Sequence, residues 1–255
     1  MESSIANRLM DLNRQFYQTF GEAFSSTRGA VQPGVRRMLD QLHGSETILD
    51  LGCGNGNLVR ALAVQGHRAP LVGLDFSLPL LEAAAAGAGG FPVRFFQADL
   101  TTDCDAVLRT QLSGDPAFSA LLESHFSLIT AFAVLHHLPS AALRLGFCRR
   151  AAGWLRPGGR FILSNWQFLN SPKLRARIQP WSSIGLSEAQ VDPGDALLDW
   201  RSGGRGLRYV HSFDPPALEE LAGASGFRVL ETFYSDGQGG RLGLYQVWEL
   251  SAQTG

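Results

Sequence analysis

The sequence predicts an α/β fold: a mostly parallel sheet with helices on both faces, closed by an antiparallel C-terminal hairpin. Three observations carry this. From Thr47 to Asn165, short apolar runs alternate with helical patterns of about 10–15 residues, the signature of βαβ units. A glycine turn, Gly52–Gly56, joins the first of those runs to a helix. Two strand-like runs at the end, Phe227–Tyr234 and Leu242–Leu250, are linked by Asp236-Gly237-Gln238-Gly239-Gly240, a turn-rich segment that makes them a hairpin.

Taken in order, residues 2–24 read as a helix, with Ile5, Leu9, Leu12, Phe16 and Phe20 on one face. A second helix opens after Gln32-Pro33, with proline in its first turn. Strands are expected at Thr47–Leu51, Pro70–Leu74, Val93–Gln97, Phe126–Ala133 and Arg160–Asn165. Helices are expected at Asn57–Gln65, Leu78–Ala86 and Ser140–Leu155, with a Pro157-Gly158-Gly159 turn after the last. Thr101–Ser124 is too long for a loop and should carry a helix near Asp105–Leu112. Leu169–Gly206 has no strong period and many Pro, Ser and Gly residues, as expected of a lid or substrate loop, or of a disordered flap. Tyr209–Phe213 reads as a short strand or turn, and Pro215–Ser225 as a helix capped by Ser212 or Asp214. The chain is thus expected to be one domain in four parts: a helical cap (1–45), a core (46–166), an insertion (167–206) and C-terminal strands and helix (207–255).

Composition narrows the function. The 255 residues are 45% hydrophobic and 18% charged, which suits a chain that buries a full core. The formal charge is −1, so no global basic field advertises nucleic acid. Locally, residues 144–177 hold Arg144, Arg149, Arg150, Arg156, Arg160, Lys173, Arg175 and Arg177 and no acid. That run reads either as a stripe tracking a phosphate backbone or as a solvated helix face. Cys53, Cys104 and Cys148 are scattered without metal-ligand spacing, which argues against zinc and a disulfide framework. Glu2, Arg8, Asp11 and Arg14 interrupt any apolar run at the start, and no apolar stretch approaches the roughly 20 residues of a membrane span. A cytoplasmic protein is expected.

The chemistry centres on Leu49-Asp50-Leu51-Gly52-Cys53-Gly54-Asn55-Gly56, which follows a strand and opens a helix. Its G-x-G-x-G spacing allows a tight turn and close approach of a ligand to backbone. Nineteen residues beyond Gly56, Asp75 ends the next strand, where a carboxylate can accept both hydroxyls of a ribose. Asp99 ends the third and can accept from an adenine amino group. Three strand ends thus converge on an adenosine-shaped slot, although either aspartate alone is equally an ordinary helix N-cap.

With Val134-Leu135-His136-His137-Leu138 and Leu155-Arg156-Pro157-Gly158-Gly159 added in order, this series resembles the class I S-adenosylmethionine-dependent methyltransferases, a Rossmann-like family. The resemblance implies a seven-stranded sheet in order 3-2-1-4-5-7-6, with S-adenosyl-L-methionine as cofactor and S-adenosyl-L-homocysteine as product. It implies a donor site at Asp50, Gly52, Cys53, Gly54, Asn55, Gly56, Asp75, Phe76, Ser77, Ala98, Asp99, Leu100, Ala131 and Phe132. The flanks resemble a narrower family, the tRNA wobble-uridine methyltransferases that esterify 5-carboxymethyluridine. The resembling patches are Phe24-Ser25-Ser26-Thr27-Arg28, Trp166-Gln167, Gly194–Trp200, and Arg208-Tyr209-Val210-His211-Ser212-Phe213 before Leu218-Glu219-Glu220-Leu221. The long Thr101–Ser124 segment and the lack of proline before Trp200 depart from that pattern.

The catalytic candidates are His136, His137 and Arg28. Alternation at the end of a strand lets only one histidine face the crevice, as a general base or as a hydrogen-bonded wall. Arg28 can bind the donor's carboxylate or a substrate anion, or it is a solvated turn residue. Trp166, Trp181 and Trp200 can stack a base or simply pack. Cys53 reads as a small filler. Expected partners are a tRNA substrate with a small activator subunit, or else a small-molecule O- or N-acceptor under the 169–206 lid; a non-catalytic scaffold subunit is the reading of another class.

Overall fold

Seven strands form the main sheet in the order Val93–Gln97, Leu71–Asp75, Ile48–Leu51, Phe126–Phe132, Leu155–Trp166, Gly243–Leu250, Phe227–Ser235, and only Gly243–Leu250 runs against the other six. The computed structural model describes residues 1–26 and 29–251. The elements are α1 (Ser3–Ser26), α2 (Pro33–Leu39), β1 (Ile48–Leu51), α3 (Asn57–Val64), β2 (Leu71–Asp75), α4 (Leu78–Ala86), β3 (Val93–Gln97), α5 (Cys104–Ser113), α6 (Leu121–Ser124) and β4 (Phe126–Phe132). They continue with α7 (Ala141–Trp154), β5 (Leu155–Trp166), α8 (Pro172–Arg175), β6 (Ile178–Gln179), β7 (Asp195–Trp200), β8 (Gly206–His211), α9 (Pro215–Ala224), β9 (Phe227–Ser235) and β10 (Gly243–Leu250). Counting the seven main strands alone, this is the 3-2-1-4-5-7-6 order that the resemblance implies.

The strands β1 and β2 are buried along their whole length, because helices cover both faces. One core, around Phe161, Phe147, Trp248 and Leu49, lies under α5, α7 and α9; the other, around Ile48, Tyr245 and Leu62, lies under α2 and α3. Asp214 caps α9 by accepting the Ala217 N–H at 2.9 Å. Among the described residues, no helix is long and apolar enough to cross a membrane.

Two expectations need correction. The Pro157-Gly158-Gly159 turn does not precede β5 but bulges within it: Phe126 pairs with Leu155 and Leu128 with Arg160. Residues 169–206, expected as a lid, substrate loop or disordered flap, are built into regular structure. They supply β6 and β7, which join β8 in a second, antiparallel sheet, so the boundary drawn at 206/207 cuts through the β7–β8 hairpin. This small sheet is covered on both faces. Leu197 and Tyr209 pack with Leu9 and Trp181 on one side, and Leu198 and Val210 with Phe168 on the other.

Helix α1 lies on β8 and is pinned there by one buried carboxamide. Asn13 Oδ1 accepts the Tyr209 N–H at 2.8 Å, while its Nδ2 donates to Tyr209 O at 3.1 Å and to His137 O at 3.2 Å. Phe16 adds an edge contact to Trp200 at 5.8 Å. Asn13→Ala strands the buried Tyr209 N–H, so urea unfolding should show a loss of about 2–3 kcal/mol, the scale of a vacated buried hydrogen-bonding group. A loss under ~0.5 kcal/mol, typical of surface changes, would mean that α1 is held by its other contacts and not by Asn13.

Candidate active site

A cavity of about 350 Å³ opens over the C-terminal ends of the parallel strands and is roofed by α1. This is where open α/β sheets bind ligands, since the loops leaving neighbouring strands diverge there. The turn after β1 is held on β2 by the N–H groups of Gly52 and Cys53, which both donate to Leu74 O, at 2.7 and 3.0 Å. Gly54 has φ +53°, and a Cβ built on it would meet no atom within 4 Å; its open face looks into the cavity. Gly56 differs. A Cβ there would lie 2.9 Å from Ala84 Cβ, so this glycine lets α3 approach α4 and stands outside the cavity wall.

Three aspartates line one end, each in a different state. Asp50 is buried, its carboxyl pushed up to about 7 by burial, against the Thr130 hydroxyl that donates to it at 2.7 Å. Asp75 accepts the Gly54 N–H on Oδ2 and the Ser77 N–H on Oδ1, both at 2.9 Å. Burial raises it, and those backbone donors act against the rise. Asp99 is lowered: burial acts upward but is outweighed by the Thr101 hydroxyl (2.6 Å) and N–H (2.8 Å) and by the Arg14 guanidinium from α1. Its two oxygens are therefore already shared with Thr101 and Arg14 before any adenine amino group arrives. Cys53, also in the wall, is held far above the ordinary thiol range by burial and then by Asp50 and Asp75, so it is a filler and not a nucleophile.

Of the other donor-site residues that the resemblance implies, Asn55, Phe76, Leu100 and Phe132 line the cavity with Gly52. Ser77, Ala98 and Ala131 do not; they are buried beneath it. Arg28 lies outside the described residues.

The other end is built from β4, β5, β8 and α1. After β4, Ala133 takes φ +59° and its N–H donates to Ser164 O at 3.0 Å, turning the chain into a short 3₁₀ helix, Leu135–His137. Strand alternation therefore does not apply, and both histidines face the cavity with their rings 4.3 Å apart. His137 Nδ1 meets Tyr209 O at 3.3 Å, so it carries the hydrogen, and Nε2 accepts from Tyr17 OH at 2.8 Å. His136 Nδ1 accepts the Trp166 N–H at 3.3 Å, which in the neutral ring leaves the hydrogen on Nε2. Opposite them, Arg208 is 5% exposed and borders the cavity, its guanidinium 4.7 Å from the Trp166 ring, 5.4 Å from Phe16 and 5.7 Å from Trp200. Trp181 packs in the core with Leu9 and is not in the wall.

The basic run 144–177 is dispersed. Arg144 is buried on Leu138 O and pairs with Asp192 at 3.6 Å. Arg149 and Arg150 bond the carbonyls of Ala224, Leu100 and Thr101. Arg156 and Arg160 sit at the start of β5, away from the cavity; Lys173 and Arg175 are exposed on α8. Arg14, Asn13, Tyr17, Asn165 and Arg208 were not singled out as site residues by the sequence, although Arg208 opens one resembling patch and Asn165 directly precedes another.

A family model described as a methyltransferase domain matches residues 24–232. The chain belongs to this methyltransferase family. It is 30% identical over 218 residues to a putative methyltransferase of Encephalitozoon cuniculi, covering 85% of this chain and 87% of that one. It is 28% identical over 152 residues to the tRNA (carboxymethyluridine(34)-5-O)-methyltransferase of Macaca fascicularis, covering 60% of this chain and 19% of that protein. Among solved structures, a 1,6-didemethyltoxoflavin-N1-methyltransferase of Burkholderia thailandensis shares the fold, with a TM-score of 0.62, 19% identity, and coverage of 99% of this chain and 92% of that one.

The methyltransferase site fits S-adenosylmethionine, which is the cofactor. Gly54 offers an open backbone face, and the Asp75 carboxylate, oriented by backbone N–H groups, borders the same cavity and can accept a ribose hydroxyl. Asp50 gives a pH test on the ligand-free enzyme. The folded chain keeps a proton up to about pH 7 that the unfolded chain releases near the ordinary carboxylate value. More protons are then bound in the folded state, so stability falls as pH rises between ~4 and ~7, by roughly 4 kcal/mol at about 1.4 per pH unit. Asp50→Asn should lose this component of the fall in urea unfolding at a series of pH values; an unchanged slope would show that Asp50 is ionised in the fold.

Proposed function

We propose that this enzyme methylates a carboxylate, that of 5-carboxymethyluridine at the wobble position of tRNA, to give the methyl ester. The observation that carries this reading is Arg208: a buried cation held among three aromatic rings in the cavity wall. A planar guanidinium in a fixed orientation is complementary to a carboxylate and discriminates against neutral acceptors. The histidines agree with it. His137 Nε2 is engaged by Tyr17, and His136 presents a hydrogen at Nε2, so neither is set as a general base. A carboxylate, ionised at neutral pH, needs none. The partial match to the tRNA carboxymethyluridine methyltransferases supports the same acceptor.

S-adenosylmethionine supplies an activated methyl on a sulfonium. The protein's own work is then orientation and dehydration. Arg208 holds the acceptor oxygens, while α1 and the rings of Phe76 and Trp166 exclude water. The roof of α1 and the dispersal of the basic run favour a second reading, in which the acceptor is a small carboxylic acid.

Incubation with labelled donor and tRNA carrying 5-carboxymethyluridine, followed by mass spectrometry of the nucleosides, separates the two. Label should appear in the methyl ester of that nucleoside. Arg208→Ala should lower kcat/KM by about 10- to 100-fold, the scale of a lost hydrogen bond to a charged group, with S-adenosylhomocysteine affinity kept. Absence of label in tRNA, with turnover of small carboxylic acids, would establish the second reading.

A further inference from the structure

Beside Arg208, the cavity contains a polar side chain with nothing to do inside the fold. Asn165 is 1% exposed, near the end of β5, and borders the cavity. Neither its Nδ2 nor its Oδ1 has a hydrogen-bond partner among the described residues. A buried carboxamide that forgoes both bonds is costly, and such groups persist where a ligand completes them. The next residue, Trp166, carries the ring 4.7 Å from the Arg208 guanidinium, so the carboxamide and the cation share one strand end. This end lies away from the glycine turn and Asp75, since β4 separates β5 from β1, and β4 and β1 separate it from β2; of the implied donor residues, Phe132 stands nearest, paired with Ser164.

We infer that Asn165 is a specificity residue for the acceptor and recognises a lactam edge, a carbonyl beside a ring N–H. A carboxamide matches that edge with two parallel bonds, Nδ2–H to the carbonyl oxygen and Oδ1 from the ring N–H. The inference rests on the proposed acceptor and deepens it. In a uracil substituted at C5, the C4 carbonyl adjoins the substituent and N3–H follows it. A carboxylate anchored on Arg208 would thus bring the O4/N3–H edge to the side chain on the same strand end. Asn165 would read the base while Arg208 reads its substituent.

The test uses full-length enzyme with two anticodon stem-loop RNAs, one bearing 5-carboxymethyluridine and one its N3-methyl derivative, which cannot donate. Wild type should favour the first by about tenfold or more in kcat/KM. Asn165→Leu, similar in size, and Asn165→Ala should lose a similar factor on the first RNA, mainly through KM. Their preference between the two RNAs should collapse to about one. S-adenosylhomocysteine affinity should stay within about twofold of wild type, which also shows that the variants fold. Wild-type preference persisting in both variants would overturn the inference and leave the proposed acceptor standing. A parallel loss of S-adenosylhomocysteine affinity would assign Asn165 to the donor instead. No methyl ester on either RNA with wild type would overturn the proposed acceptor, and the inference with it.

Discussion

The carboxamide of Asn13 spends its hydrogen bonds on the backbone of Tyr209 and His137, and so ties α1 at once to the small sheet and to the turn after β4. Much of the site hangs on that attachment. From neighbouring turns of α1, Arg14 reaches Asp99, Tyr17 reaches His137, and Met10 closes the wall. Without the helix, the strand ends would offer an open crevice in place of a cavity. The small sheet is the other half of the arrangement: it seats α1 and supplies Arg208.

Charge is unevenly spread along the cavity. Asp50, Asp75 and Asp99 lie toward β1, β2 and β3, with Arg14 paired to Asp99, while Arg208 lies beside Trp166 of β5; a fourth aspartate, Asp236 after β9, accepts from Gly34 N–H and Tyr245 OH. The acids are not equivalent. Burial keeps a proton on Asp50 to about pH 7, whereas Thr101 and Arg14 hold Asp99 ionised. Two like charges in a low-dielectric floor would repel, and a protonated Asp50 removes part of that repulsion from beside Asp75.

The sequence made the frame readable because strands and helices alternate with clear periods from Thr47 onward, and because glycines mark the turn where a ligand meets backbone. It did not reveal the small sheet. Both faces of β7 and β8 are covered, so Asp195–Trp200 and Gly206–His211 show no alternation, and a buried strand without a period looks like a loop. The two histidines escaped the alternation rule because Ala133 bends the chain into a 3₁₀ turn. The basic run looked continuous only in one dimension; α7, β5 and α8 point its members in different directions. Asn13 and Asn165 are lone asparagines without a motif, and their importance lies in partners distant in the chain, or in the lack of them.

The central claim is that one cavity holds the donor at the glycine turn and leaves the Arg208 end to the acceptor. Calorimetric titration with S-adenosylhomocysteine tests it most directly, in wild type and in Gly54→Val. Wild type should bind one equivalent. The variant, with a side chain where Gly54 now shows an open face at φ +53°, should bind none while keeping its circular dichroism spectrum. Equal affinity in the two proteins would place the donor elsewhere and contradict the account.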